Sequence, residues 1–120
     1  MTEAVRAARG EPAPGGRSFS GDPAEYAEAV LAVVESIPPG RVMSYGDIAE
    51  LLGSGGPRQV GRVLSHSGGG VPWWRVTRAD GSPALGHEVT ARLEWTAERT
   101  PQRNGRADMS VARWTGPPSG

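Results

Sequence analysis

The 120-residue sequence contains no cysteine. That absence excludes disulfides, thiolate metal sites and cysteine nucleophiles together. Lysine is missing as well, so all 13 basic side chains are arginines. Arginine presents a planar fork of donors suited to phosphate oxygens and base edges, although the lysine-free total itself reads as codon bias. No charge of one sign dominates. The 13 acidic residues balance the 13 basic ones, so attraction to nucleic acid has to come from local clustering. No apolar run approaches the length that spans a membrane, and the N-terminus lacks the apolar stretch of a signal peptide, which leads us to expect a cytoplasmic protein. With flanks poor in apolar residues, one domain with one small core is expected.

Residues 1–20 mix Ala, Arg, Gly and Pro without periodicity, and 116–120 are Gly, Pro and Ser only. Both are expected to be disordered, leaving a domain over 21–115. Asp22-Pro23-Ala24-Glu25 reads as an N-cap, a proline at the first helical position and an acidic partner. Tyr26, Val30, Val33, Val34 and Ile37 then recur at helical spacing until Pro38-Pro39-Gly40 stops them. A second start follows, with Ser44 and Asp47 at capping-box spacing and Ile48, Ala49, Leu51 and Leu52 as the apolar stripe, ending near Gly53. After a glycine-rich turn, Pro57 opens a third helix to about Ser65, with Val60, Val63 and Leu64 inward and Arg58 and Arg62 sharing the outer face. This is a helix-turn-helix pattern with a basic outer helix. Trp74 to Thr77, followed by Asp80-Gly81, predicts a short strand entering a turn, a candidate wing. A last helix is expected from about Glu88 to Glu98 with Val89, Leu93 and Ala97 on its apolar side. His66 and His87 stand alone, without further ligand candidates at metal spacing. Arg113-Trp114 is a candidate to pack a C-terminal segment onto the domain.

The run Ile37-Pro38-Pro39-Gly40-Arg41-Val42, then Ser44-Tyr45-Gly46-Asp47-Ile48-Ala49, resembles the DNA-binding domain of the O6-alkylguanine-DNA alkyltransferases. Pro57-Arg58-Gln59-Val60-Gly61-Arg62 is similar to that family's recognition helix. Val71-Pro72-Trp73-Trp74-Arg75-Val76 falls where the family's Pro-Cys-His-Arg-Val active-site motif lies. The runs come in family order, from about Asp22 to Glu98. Together with the helix pattern they imply a mainly α, winged helix-turn-helix-like DNA-binding domain with a short β hairpin or wing.

In the alkyltransferases the motif's cysteine accepts an alkyl group from O6 of guanine, and its histidine helps form the thiolate through water. Trp73 and Trp74 hold those places here. An indole has no atom suited to that displacement, and its N–H donates but cannot act as a base. The resemblance therefore points to the alkyltransferase-like proteins, which replace the cysteine, often with tryptophan, and recognise O6-alkylguanine without repairing it. It implies a non-enzymatic, cofactor-free monomer that flips the lesion out of double-stranded DNA and presents it to nucleotide excision repair proteins, nucleoid-associated when bound. Trp74 departs from the usual pattern, which keeps the histidine.

Residue by residue, the resemblance makes Tyr45 the group that crowds the target phosphate and turns the nucleotide out, against the plainer reading of a tyrosine half buried at a helix start. Arg58 matches the finger that fills the vacated place in the stack, against a solvated arginine at a helix start, where the dipole disfavours it. Gln59, Arg62 and Ser65 are candidates for phosphate or sugar contacts, or simply a solvated face. Gly61 is expected to let the recognition helix approach the backbone or another helix closely. The motif sets Val71, Pro72, Trp73, Trp74 and Arg75 with Tyr45 around the lesion pocket. Trp73 is its floor or a core residue, Trp74 lines it or turns into the core, and Arg75 braces the turn through carbonyls. The loop from about Gly81 to Gly86 matches none of the family's recognisable residues, so no contact is assigned to it. The alternative function is a helix-turn-helix DNA-binding or architectural protein without lesion specificity. An enzyme acting on the base by hydrolysis finds no carboxylate or metal cluster in support.

Overall fold

The structure, a computed structural model, describes residues 22–117. The expected disorder of 1–20 and the last three residues of the 116–120 tail lie outside that range. Helix α1 (Pro23–Ser36) starts on Asp22, whose carboxylate accepts from the Ala24 N–H at 2.9 Å, with proline at its first position. It ends where Ile37, obliged by the following Pro38 to leave the helical region, takes ψ 124°. Tyr26, Val30, Val34 and Ile37 are buried along one face, with Val33 half-buried beside them.

Strand β1 (Met43–Ser44) leads into helix α2 (Tyr45–Leu52) through the capping box that the spacing predicts: Asp47 N–H donates to Ser44 Oγ at 3.0 Å, and Ser44 N–H to Asp47 Oδ2 at 3.1 Å. Gly53 closes α2 at φ 70°. The turn to helix α3 (Pro57–Ser67) is fixed by the Tyr26 hydroxyl, which donates to the Ser54 carbonyl at 3.0 Å. Gly55, at φ 74°, lies so close beneath that hydroxyl that a Cβ would collide with it. α3 runs two residues past the expected Ser65. It buries Val60 against Ile48 and Leu52 of α2, which completes the helix-turn-helix.

Single 3-10 turns follow at Gly68–Gly70 and Trp73–Arg75. Only the end of the expected Trp74–Thr77 strand is extended. β2 (Val76–Thr77) pairs in parallel with β1, Met43 beside Val76 and Ser44 beside Thr77. The chain does turn at Asp80-Gly81, with the Asp80 carboxylate accepting from Ser82 N–H, but among the described residues no strand returns beside β2.

Helix α4 (Glu88–Glu98) has the expected bounds and a different buried side. Val89 and Leu93 are 70% and 66% exposed and Ala97 is exposed, whereas Ala91 and Trp95 are buried. The fully buried indole is larger than any one of the three side chains expected there, and its N–H donates to the Trp74 carbonyl at 2.6 Å. The hairpin among the described residues is β3 (Gln102–Arg103) with β4 (Arg106–Ala107), joined by Asn104 and Gly105 at φ 55° and 78°. A short helix α5 (Met109–Ala112) precedes a C-terminal strap in which Trp114 N–H donates to Val42 O and Val42 N–H to Ala112 O.

The single expected core is divided in two. One cluster joins α1, α2, α3 and β2. The other gathers Val42, Ala91, Trp95, Ala107 and Ala112, with Trp73 and Trp74 packed against it.

Candidate nucleic-acid interface

Val60 buries the inner side of α3 and Val63 and Leu64 half-bury it, which turns Arg58, Gln59, Arg62 and Ser65 outward, all exposed. Arg58 and Arg62 form no ion pair among the described residues, so their guanidinium donors face solvent. Gln59 is partly committed: its amide oxygen accepts the Gly56 N–H at 3.0 Å and caps its own helix.

Beside this helix lies a cavity of about 380 Å³. Tyr45 from the start of α2, Leu64 and Ser65 from α3, and Trp73 from the 3-10 turn form one wall. The loop residues Ala84, Leu85 and His87 close it from the other side. The Tyr45 ring lies over Gly61, where an added methyl would sit 3.9 Å from it, in ordinary contact. Gly61 thus keeps open space at the cavity and not a close helix–helix approach. Burial pushes the Tyr45 hydroxyl pKa up, and the nearby positive charge of Arg78 only partly opposes this. The phenol stays neutral and able to donate. The Trp73 and His87 rings meet at 5.4 Å, tilted by 57°.

Of the residues placed around the pocket by sequence, the structure brings Tyr45 and Trp73 together and adds Ser65 from the helix face. It does not bring Val71, Pro72, Trp74 or Arg75 to that cavity. They border a separate hollow with Glu35, and Val71 is buried in the first core cluster. Trp74 stands edge-on to Trp73, centroids 5.7 Å apart at 84°, with the Arg75 guanidinium 5.7 Å from its ring centre. Its indole N–H is buried without a well-formed hydrogen bond, though it helps keep the nearby Glu98 carboxyl ionised.

Arg75 is a brace, as its place in the motif suggests, but mainly through an acid. Its Nε and Nη2 donate to Glu98 Oε1 and Oε2 at 3.0 and 2.5 Å, and Nη1 donates to Ile37 O at 2.9 Å. Glu98 goes unmarked in the sequence. The signal available was chemical: an arginine within an apolar motif needs a partner. His87, Ala84 and Leu85 carry no local signal, since packing alone brings their loop to Tyr45. A wider groove of about 1070 Å³, bordered by Glu50, Gly53, Met109 and Arg113, lies elsewhere on α2 and holds none of the expected site residues.

An outward-facing basic helix, a tight turn to a second helix and a cavity at their side define a helix-turn-helix DNA-binding domain. Residues 25–99 match the family described as 6-O-methylguanine DNA methyltransferase, DNA binding domain, and the chain belongs to that family. It is 36% identical over 64 residues to the DNA base-flipping protein of Vibrio parahaemolyticus, covering 51% of this chain and 64% of the relative. It is 41% identical over 63 residues to the DNA base-flipping protein of Escherichia coli K12, covering 50% of this chain and 49% of that protein. The chain thus spans about half to two thirds of these relatives. Among solved structures it resembles S. pombe Atl1 in complex with damaged DNA containing O6-carboxymethylguanine, with TM-score 0.67 and 25% identity over 76% of this chain and 95% of that one. S. pombe ATL in complex with DNA superposes with TM-score 0.63 at 26% identity, with the same coverage. The alkyltransferase-like resemblance and the mainly helical fold read from the sequence are both borne out.

Proposed function

We propose that this chain binds double-stranded DNA containing O6-alkylguanine, turns the alkylated nucleotide out of the stack into the cavity between Tyr45 and Trp73, and holds it there unrepaired. The observation that carries this reading is the meeting of Tyr45, Ser65 and Trp73 on one cavity beside the exposed Arg58–Arg62 face. The base-flipping relatives and the damaged-DNA complex of Atl1 support it. In this reading Tyr45 crowds the target phosphate, Arg58 fills the vacated place in the duplex, and Gln59, Arg62 and Ser65 hold the backbone. Trp73 stands in the place of the nucleophilic cysteine and offers a face for the flipped base, so binding is the whole activity. The occupied complex, a monomer on cytoplasmic or nucleoid DNA, then presents the lesion to nucleotide excision repair proteins.

Titration of one duplex carrying guanine, O6-methylguanine or a larger O6-alkylguanine, at stated salt, tests this. Tighter binding of the alkylated duplexes is expected, with no labelled alkyl group passing to the protein. Equal affinities restore the architectural alternative, and transfer of label overturns the non-enzymatic assignment.

A further inference from the structure

We propose that Arg78 is a further anchor for the DNA backbone, holding a phosphate on the loop side of the cavity next to Tyr45. The idea rests on the DNA-binding reading above and adds a contact outside the recognition helix.

The parallel register of the small sheet makes the placement. Ser44 lies beside Thr77, so the next residues on each strand, Tyr45 and Arg78, leave the sheet side by side. Arg78 is exposed. Its backbone N–H donates to Ser82 O at 2.9 Å, and one guanidinium nitrogen donates to Pro83 O at 3.3 Å. These bonds fix the base of the guanidinium over the loop that carries Ala84, Leu85 and His87 to the cavity, and the remaining donors stay in solvent. Its positive charge is felt at the Tyr45 hydroxyl, where it works against burial.

Two acids, Asp80 and Glu88, feel its charge, but neither forms an ion pair with it. Asp80 accepts from Ser82 N–H at 2.9 Å and lies 3.7 Å from Arg106, and Glu88 accepts from Gly86 N–H at 3.2 Å. Arg78 forms no ion pair of its own among the described residues. In a chain of zero net charge, Arg58 and Arg62 lie on the helix that gives the cavity Gly61, Leu64 and Ser65, and Arg78 is bonded to the loop that gives it Ala84 and Leu85. A nucleotide rotated out of a duplex has a phosphate on each side of it, and holding both fixes the strand about the rotation. Arginine on both flanks of the opening provides that.

The test is the salt dependence of binding for the full chain, with plain and O6-methylguanine duplexes, comparing wild type, Arg78→Gln and Arg78→Lys. For Arg78→Gln, the slope of log K against log salt should fall by about 0.9, the value for one lost phosphate contact on duplex DNA, with plain and damaged duplexes weakened alike. Arg78→Lys should keep the wild-type slope, and the thermal midpoints of all three should agree. An unchanged slope in Arg78→Gln overturns the proposal. So does a fall in Arg78→Lys matching that of Arg78→Gln, which would mean that the bond to Pro83 and not the charge matters. A wild type that binds both duplexes equally sinks the lesion-sensor reading alone, because the slope still decides the Arg78 contact.

Discussion

Arg75 and Glu98 meet as a two-pronged ion pair, each side chain only 14% exposed, and Arg75 also holds the Ile37 carbonyl. One guanidinium therefore joins the end of α1, the turn carrying Trp73 and the last turn of α4. Removing one partner leaves the other charge buried and uncompensated, a change that costs about 3–5 kcal/mol for buried pairs in general. Glu98→Ala should accordingly lose stability of that order in urea denaturation. A loss under about 1 kcal/mol, the worth of an exposed pair, would remove the brace from the account.

Acid should unfold the protein through the same kind of group. Burial pushes the Asp47 carboxyl up, but hydrogen bonds from Arg113 and Ser44 and the charge of Arg113 outweigh it, so its pKa lies below the usual carboxylate value. Glu98 follows the same pattern, with burial opposed by Arg75. A carboxyl whose folded pKa is depressed adds stability above its unfolded pKa, about 3.9 for Asp and 4.3 for Glu, and loses it as pH falls through the folded value. The thermal midpoint should hold steady from neutral pH to about 5 and drop below about 4. Asp47→Asn should begin lower at neutral pH and show a shallower acid drop; an acid profile identical to wild type would exclude Asp47 as a source.

These two pairs also show where the sequence stops being informative. Helix starts are local events, so Asp22, the Ser44–Asp47 box and Pro57 mark α1, α2 and α3 correctly. The face of α4 is a tertiary outcome: Val89 and Leu93 have the right spacing, yet Ala91, Trp95 and Glu98 turn inward because Trp95 fills the second core and Glu98 meets Arg75. Asn104-Gly105 is the pair that a two-residue hairpin needs, but the flanking Arg103 and Arg106 lack the alternating apolar pattern that would mark strands. The cavity is legible only in part. Tyr45 and Trp73 lie on matching runs, while the loop opposite them is set by the turn at Gly81, where a Cβ would collide with the Ala107 carbonyl.

The end of α4 offers a stabilising change. Arg99 caps the helix at φ 61°, a left-handed conformation that costs an L-residue with a Cβ roughly 1–2 kcal/mol. Glycine adopts it freely but gives up more chain entropy on folding. The balance predicts that Arg99→Gly gains about 0.5–1 kcal/mol in chemical denaturation. No gain, or a loss, would show that the arginine side chain contributes contacts that offset its backbone.

The paired tryptophans should separate cleanly. Both pack against the second core, but Trp73 lines the cavity beside Tyr45, whereas Trp74 borders the hollow behind it. Stacking of a base on an aromatic side chain is worth about 1–3 kcal/mol, so Trp73→Ala should lower affinity for an O6-methylguanine duplex by that amount and plain-duplex affinity by less. Trp74→Phe keeps an aromatic ring and removes a buried N–H that has no well-formed hydrogen bond, so lesion affinity should stay at the wild-type level and stability should hold or rise. Binding titrations with a urea melt of each variant keep loss of fold apart from loss of contact. If Trp74→Phe weakens lesion binding while Trp73→Ala leaves it intact, the flipped base occupies the hollow bordered by Glu35 and Pro72, and the roles of the two cavities exchange.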